Sequence, residues 1–115
     1  MLEKQLIIKI KQQPTTVSFE EVMQVINDHY QYTPASFVNG VLENQASTNE
    51  GSCKIFCFAK MHGLSQEQTL NCFGRYYRED VLGNLNGKDH GNIRNFISSG
   101  WGGVIFSTPV LIANS

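Results

Sequence analysis

Ser52-Cys-Lys-Ile-Phe-Cys-Phe-Ala-Lys-Met-His-Gly63 is the stretch that decides the fold class. Ile55, Phe56, Phe58 and Ala59 are too crowded to lie on one narrow stripe. A helix carrying them must be buried on most of its sides and therefore central. Gly63 is the natural residue just past its end. A helix of this kind needs other elements packed around it, and the flanking sequence supplies them. Downstream, Ser65 and Gln68 form a capping box, in which each side chain bonds the other residue's free backbone N–H. The helix they open places Leu70, Phe73, Tyr77 and Val81 inward and ends at Gly83. Asn84 to Lys88 reads as a loop. Asp89 is suited to cap a fifth helix with Ile93, Phe96 and Ile97 inside and Gly100 as its stop. Gly102-Gly103 then releases a strand, Val104 to Ser107, before Pro109.

Upstream, Ser18 and Glu21 form another capping box, with Val17 and Val22 placed to close as a hydrophobic staple. Phe19, Val22, Met23, Ile26 and Tyr30 follow helical spacing. Thr33-Pro34 ends this helix, because the residue before proline avoids helical geometry. Leu2, Leu6 and Ile10 suit one face of a first helix over residues 2–12, ended by Pro14. Alternation of Leu6, Ile8 and Ile10 also fits a strand, and helix is favoured. Asn39-Gly40, between Phe37-Val38 and Val41-Leu42, has the sequence of a tight hairpin turn. Gln45 to Gly51 has turn chemistry and no apolar period. No repeat, linker or low-complexity tract divides the 115 residues, a length that suits one domain. The expectation is a single mainly α domain of α+β class over residues 1–115, a compact bundle of about five helices with a few short strands.

Charge is the unusual feature of the composition. Asp, Glu, Lys and Arg supply 17% of the chain, against about 25% in typical domains. Ten Asn and eight Gln fill part of the gap. A net charge of −1 gives no field drawing nucleic acid or an anionic membrane to the surface as a whole. The longest apolar run, Ile55 to Ala59, is far short of the roughly 20 residues a membrane span needs. The opening Met1 to Lys11 has lysines among its apolar residues and lacks the core and cleavage site of a secretory signal. A cytoplasmic start is therefore expected. A specialised secretion signal need not show such a pattern. Three cysteines, Cys53, Cys57 and Cys72, are expected as reduced thiols because the count is odd and two share one apolar stretch.

Several groups could carry chemistry. In Asn49-Glu-Gly-Ser-Cys-Lys54 a glycine-bearing loop enters a helix whose first amides and dipole favour an anion. Cys53 in that first turn would have a lowered pKa and could act as a nucleophile. The plainer and favoured reading is a capped helix start with a packed thiol. A nucleophilic cysteine needs a base. His90, in the polar run Lys88-Asp-His-Gly-Asn-Ile-Arg-Asn95, has the best surroundings, with Asp89 and Asn92 as possible orienting groups. His62 would lie about 13 Å along the helix axis from Cys53, too far to serve. Metal is not expected, since the cysteines lack the paired spacing of a zinc site, and no motif calls for a cofactor. Cys72-Phe-Gly-Arg-Tyr-Tyr-Arg78 puts Arg75 and Arg78 beside two tyrosines, a pairing used for phosphate ligands. Glu79, four residues from Arg75, makes a surface ion pair over a buried Tyr77 the plainer reading. Trp101, among glycines, reads as core or as a pocket wall, with core favoured.

The order of these motifs resembles the HopJ type III effector family. The matching stretches are Tyr32-Thr-Pro-Ala-Ser-Phe-Val-Asn-Gly40, Asn49-Glu-Gly-Ser-Cys-Lys54, Phe73-Gly-Arg-Tyr-Tyr-Arg-Glu-Asp-Val-Leu82, Asp89-His-Gly-Asn-Ile-Arg-Asn-Phe96 and Gly100-Trp101. The resemblance implies a link to effectors delivered by type III secretion, and hence a host protein as a partner if the chain is secreted. It implies no activity and no catalytic residues. Two expectations follow from the residues themselves. One is a small interaction or ligand-binding domain, taking a protein or a small anionic ligand in one shared pocket lined by Glu50, Ser52, Cys53, Tyr76, Arg78, His90 and Arg94. The other is a cysteine-dependent or anion-handling enzyme using Cys53 with His90. The alternative to any pocket is that these polar residues tie long loops together.

Overall fold

A computed structural model describes residues 1–114. Helix α3 (Glu50–Met61) runs through the middle, with Cys53, Ile55, Phe56, Phe58 and Ala59 all buried. The chain reaches it through α1 (Glu3–Gln12), a 3-10 turn (Pro14–Thr16), α2 (Phe19–His29) and the short strands β1 (Tyr30–Tyr32), β2 (Phe37–Asn39) and β3 (Leu42–Asn44). After α3 come α4 (Gln66–Asn71), a π-helical segment (Tyr76–Val81), α5 (Gly91–Ser99), a 3-10 turn (Trp101–Gly103), β4 (Val104–Phe106) and β5 (Leu111–Ala113). The architecture is α+β, as expected. Two small antiparallel sheets, β3-β2-β4 and β1-β5, tie the C-terminal strands back to residues 30–44.

Local signals are realised closely in most elements. In α2, Ser18 Oγ accepts from the Glu21 amide at 3.1 Å, the Glu21 carboxylate accepts from the Ser18 amide, and Val17 and Val22 are both fully buried. The Ser65–Gln68 box opens α4 in the same way. Residue pairing of Phe37 with Asn44 and of Asn39 with Leu42 makes a two-residue hairpin loop of Gly40-Val41, one position later than Asn39-Gly40. Trp101 is half-buried, donates its indole N–H to the Leu64 carbonyl at 3.0 Å and meets Phe96 edge-on at 5.1 Å. It closes one end of the core.

Four expectations need correction. Helix α2 stops at His29 instead of continuing toward Pro34, because Tyr30, Gln31 and Tyr32 pair with Ala113, Ile112 and Leu111. The helix from Ser65 to Gly83 is broken. Gly74 takes φ +61°, and a Cβ there would lie 2.7 Å from the Phe19 backbone nitrogen. The chain therefore turns closely over the start of α2 and resumes in π geometry. Leu70, Phe73, Tyr77 and Val81 stay buried across the break. Helix α3 begins at Glu50, two residues before Ser52. Finally, α5 is not capped by Asp89: its N-cap is His90, and Asp89 pairs with Arg94 at 2.6 Å. Ile97 at 40% exposure is outside the core.

Candidate functional site

Helices α3 and α5 begin on the same face of the molecule, and an open cleft of about 550 Å³ lies between their starts. Asn49, Gly51 and Ser52 line it from α3, and His90, Gly91 and Asn92 from α5. Both N-cap residues sit in the left-handed region, Asn49 at φ 50° and His90 at φ 51°, and neither side chain caps its helix. The first helical bonds are Cys53 N–H to Asn49 O at 3.0 Å and Arg94 N–H to His90 O at 3.1 Å. The amides before these bonds, among them those of Gly51, Ser52, Gly91 and Asn92, have no acceptor among the described residues. Helix starts left open in this way favour an oxygen carrying negative charge.

A chain of buried amides fixes the two starts relative to each other. Asn44 and Asn92 exchange hydrogen bonds at 3.1 and 2.9 Å. Asn49 Nδ2 donates to Asn44 Oδ1 at 2.8 Å, and Asn39 Nδ2 donates to Asn92 O at 2.8 Å and Asn92 Oδ1 at 3.0 Å. Asn39, Asn44 and Asn92 are all buried. Buried amides are nearly always hydrogen-bonded, and the bonds of this ladder hold both loops in one geometry. Asn39 Oδ1 is left without a partner among the described residues. Part of the high asparagine content is thus the floor of the cleft.

The walls are aromatic and aliphatic: Phe19 and Tyr76 on one side, Leu42, Phe73 and Ile93 around them. Phe19 meets Tyr76 edge-on at 5.2 Å, and the His90 ring lies 5.4 Å from that of Tyr76. His90 Nε2 is 3.1 Å from Asp80 and 3.7 Å from Asp89. The Arg94 guanidinium holds the Asp89 carboxyl below its ordinary range.

Of the seven residues expected to share a pocket, the cleft brings together Ser52, Tyr76 and His90. The other four lie elsewhere. Cys53 is buried, with Sγ 3.9 Å from the Ala35 carbonyl, and is not among the residues lining the cleft. Glu50 is exposed and turned toward Tyr32. Arg78 donates to the carbonyls of Pro14, Val17 and Asn71 and to Asn71 Oδ1. Arg94 donates to Asn84 O at 2.8 Å, Asp89 O at 2.6 Å and Asp89 Oδ1 at 2.6 Å. Both arginines tie loops, the alternative weighed above. The expected Arg75–Glu79 ion pair does not form among the described residues, because π winding replaces the i,i+4 geometry; Arg75 instead lies over the Tyr76 ring at 5.3 Å. Sequence reading missed Phe19, Leu42 and Asn44 as lining residues.

The thiols differ from a reactive set. All three are free. Burial pushes Cys53 up to about 11 and Cys72 up to about 12, and it also raises Cys57. The lowered pKa expected at the α3 start does not arise, because the helix starts earlier and Cys53 sits beyond its open amides with its sulfur in the core. A thiol with a raised pKa is less ionised at any given pH, and the thiolate is the reacting form. Iodoacetamide at pH 7.5 is expected to label half-buried Cys57 first, with Cys53 and Cys72 labelled slowly until pH rises well above 9 or the fold opens. Peptide mass spectrometry over time checks this. Fast labelling of Cys53 at neutral pH would contradict the burial argument.

A family model of the HopJ type III effector protein matches residues 3–111. The chain belongs to the HopJ type III effector protein family. A crystal structure of an unknown function protein, VPA0580, superposes with a TM-score of 0.98 at 47% identity, covering 99% of this chain and 95% of that one. Comparison with curated proteins returns no match. The HopJ fold therefore extends over essentially the whole chain. No helix of the described residues is long and apolar enough to cross a membrane.

Proposed function

We propose that this HopJ-family domain binds a small molecule carrying a carboxylate or similar mono-anionic group in the α3–α5 cleft. The observation that carries the reading is the cleft itself: about 550 Å³, open, with two uncapped helix starts fixed across an amide floor and an aromatic wall beside them. Concave sites with apolar walls and a few convergent polar groups are where small ligands bind. Glu43, Asp80 and Asp89 stand in or near the cleft, so a single negative charge suits it better than a doubly charged phosphate. The cysteine-dependent alternative has less support, because Cys53 is buried with its thiol pKa raised and does not line the cleft that His90 lines. The family's name supports delivery by type III secretion, with the ligand or a protein partner met in a host cell.

Benzoate tests the reading, since its carboxylate suits the helix starts and its ring the aromatic wall. Titration into ¹⁵N-labelled protein is expected to move the amide signals of Gly51, Ser52, Gly91 and Asn92 together and saturably. Tyr76→Ala, which removes half of the aromatic wall, should weaken the effect. Shifts scattered over the surface, or none at those four amides, would refute a ligand site here.

A further inference from the structure

His90 combines a left-handed backbone with a side chain that lines the cleft. It holds φ 51° and ψ 49°, a region disfavoured for any residue with a Cβ, while glycine, the residue suited to it, is the very next position. Glycine at 90 would adopt this backbone without the penalty of a Cβ. Strain that persists at a cleft is a pointer to function. The His90 ring supplies a reason. Its Nε2 faces the Asp80 carboxylate at 3.1 Å, with Asp89 at 3.7 Å, whereas Nδ1 has no partner among the described residues. The ring also lines the cleft and lies against Tyr76.

We infer that the cleft hydrolyses small carboxylic esters, with His90 as general base, Asp80 as the residue that positions it, and the amides at the α3 and α5 starts receiving the developing oxyanion. The inference rests on the reading of this cleft as a carboxylate site, since a carboxylate is the product of that reaction. Asp80 accepts the Nε2–H and so leaves the Nδ1 lone pair free, an arrangement in which a carboxylate fixes the tautomer of a base. Nδ1 takes a proton from water as the water oxygen bonds the carbonyl carbon. The carbonyl π pair moves onto oxygen, which the open amides stabilise. When the C=O re-forms, the C–O bond to the alkoxide breaks and the alkoxide takes the proton from Nδ1. Ester and water give acid and alcohol, and His90 returns to its starting form. Two features select this class. The carboxylates around the cleft repel a substrate already doubly negative, whereas a neutral ester enters without that repulsion, and the open amides must carry the oxyanion's charge. A single base with no second acid suits an alkoxide leaving group better than the poorer leaving group of an amide.

The test uses p-nitrophenyl acetate with the wild-type protein, H90G and D80N, beside the benzoate titration. General-base catalysis is worth about 100-fold or more. H90G is therefore expected to lose about 100-fold in turnover while its thermal midpoint stays level or rises, because glycine relaxes the left-handed backbone. Free imidazole should restore part of the lost rate in the space the ring leaves. D80N should lower kcat about 10-fold or more with KM nearly unchanged, and should alter the pH profile, because the tautomer is no longer fixed. Equal hydrolysis by wild type and H90G would overturn the inference, as would a large fall in midpoint in H90G, which would make His90 a structural residue. If benzoate still moves the four amides in that case, the ligand site stands and only catalysis falls. If H90G loses turnover and benzoate moves nothing, the catalytic assignment stands and the carboxylate reading falls.

Discussion

Phe56→Ala is expected to destabilise the protein by about 3–5 kcal/mol, the range for emptying a large buried aromatic site. Phe56 is fully buried at the centre of α3. Its ring contacts Phe96 at 4.9 Å, Phe73 at 5.6 Å, Phe37 at 6.1 Å and Trp101 at 6.4 Å. Those four rings come from α5, the turn after α4, strand β2 and the 3-10 turn before β4. One side chain thus joins the helical layer to the three-stranded sheet. Its loss cannot be repaired by one neighbour moving, since each neighbour is held by a different element. Urea unfolding should show a lower midpoint with an unchanged slope. A shift equivalent to less than about 1 kcal/mol would mean that the surroundings collapse onto the site and that α3 is not the centre of the core.

That centre was legible because crowding of Ile55, Phe56, Phe58 and Ala59 leaves a helix little exposed face. The two Ser-x-x-Glu/Gln boxes were legible for a similar reason: capping is a contact between residues three apart, so the sequence contains both partners. What lay beyond reach were choices made by distant residues. Nothing near Tyr30 announces that it will leave helical geometry to pair with Ala113, 83 positions away. Gly74 reads as a tolerable glycine inside a helix, and only the approach of the Phe19 backbone makes it a break. The candidate site divides along the same line. Ser52, Tyr76 and His90 belong to motifs whose polarity stood out, and they do meet in the cleft. Asn44 and Asn92 were less visible, because a buried amide ladder needs partners from β2, β3, the α3 start and α5 at once. Arg78 and Arg94 drew attention as charges suited to an anion, yet carbonyl oxygens of the chain itself take up their donors.

Arg78 gives the second large effect and separates those two roles. Its guanidinium donates to Pro14 O and Asn71 O at 3.2 Å, to Asn71 Oδ1 at 3.1 Å and to Val17 O. It is only half-exposed. The Pro14–Val17 turn leads directly into the cap of α2 and so into Phe19, one wall of the cleft. Arg78 itself belongs to the π-helical segment that carries Tyr76, the other half of that wall. One planar fork therefore clamps together the two segments that supply the aromatic side of the site. Hydrogen bonds to a charged donor contribute about 1.5–3 kcal/mol each, and water can reach part of this cluster. Arg78→Ala should therefore cost about 3 kcal/mol rather than the sum. Arg78→Lys should recover less than half of that, because a single ammonium cannot span carbonyls on both segments. In both variants the benzoate response should weaken along with stability, since Phe19 and Tyr76 lose their common anchor. A direct ligand contact would behave oppositely, with binding lost and stability within about 0.5 kcal/mol of wild type. Thermal unfolding of Arg78→Ala and Arg78→Lys, measured beside the benzoate titration, decides which role this arginine has.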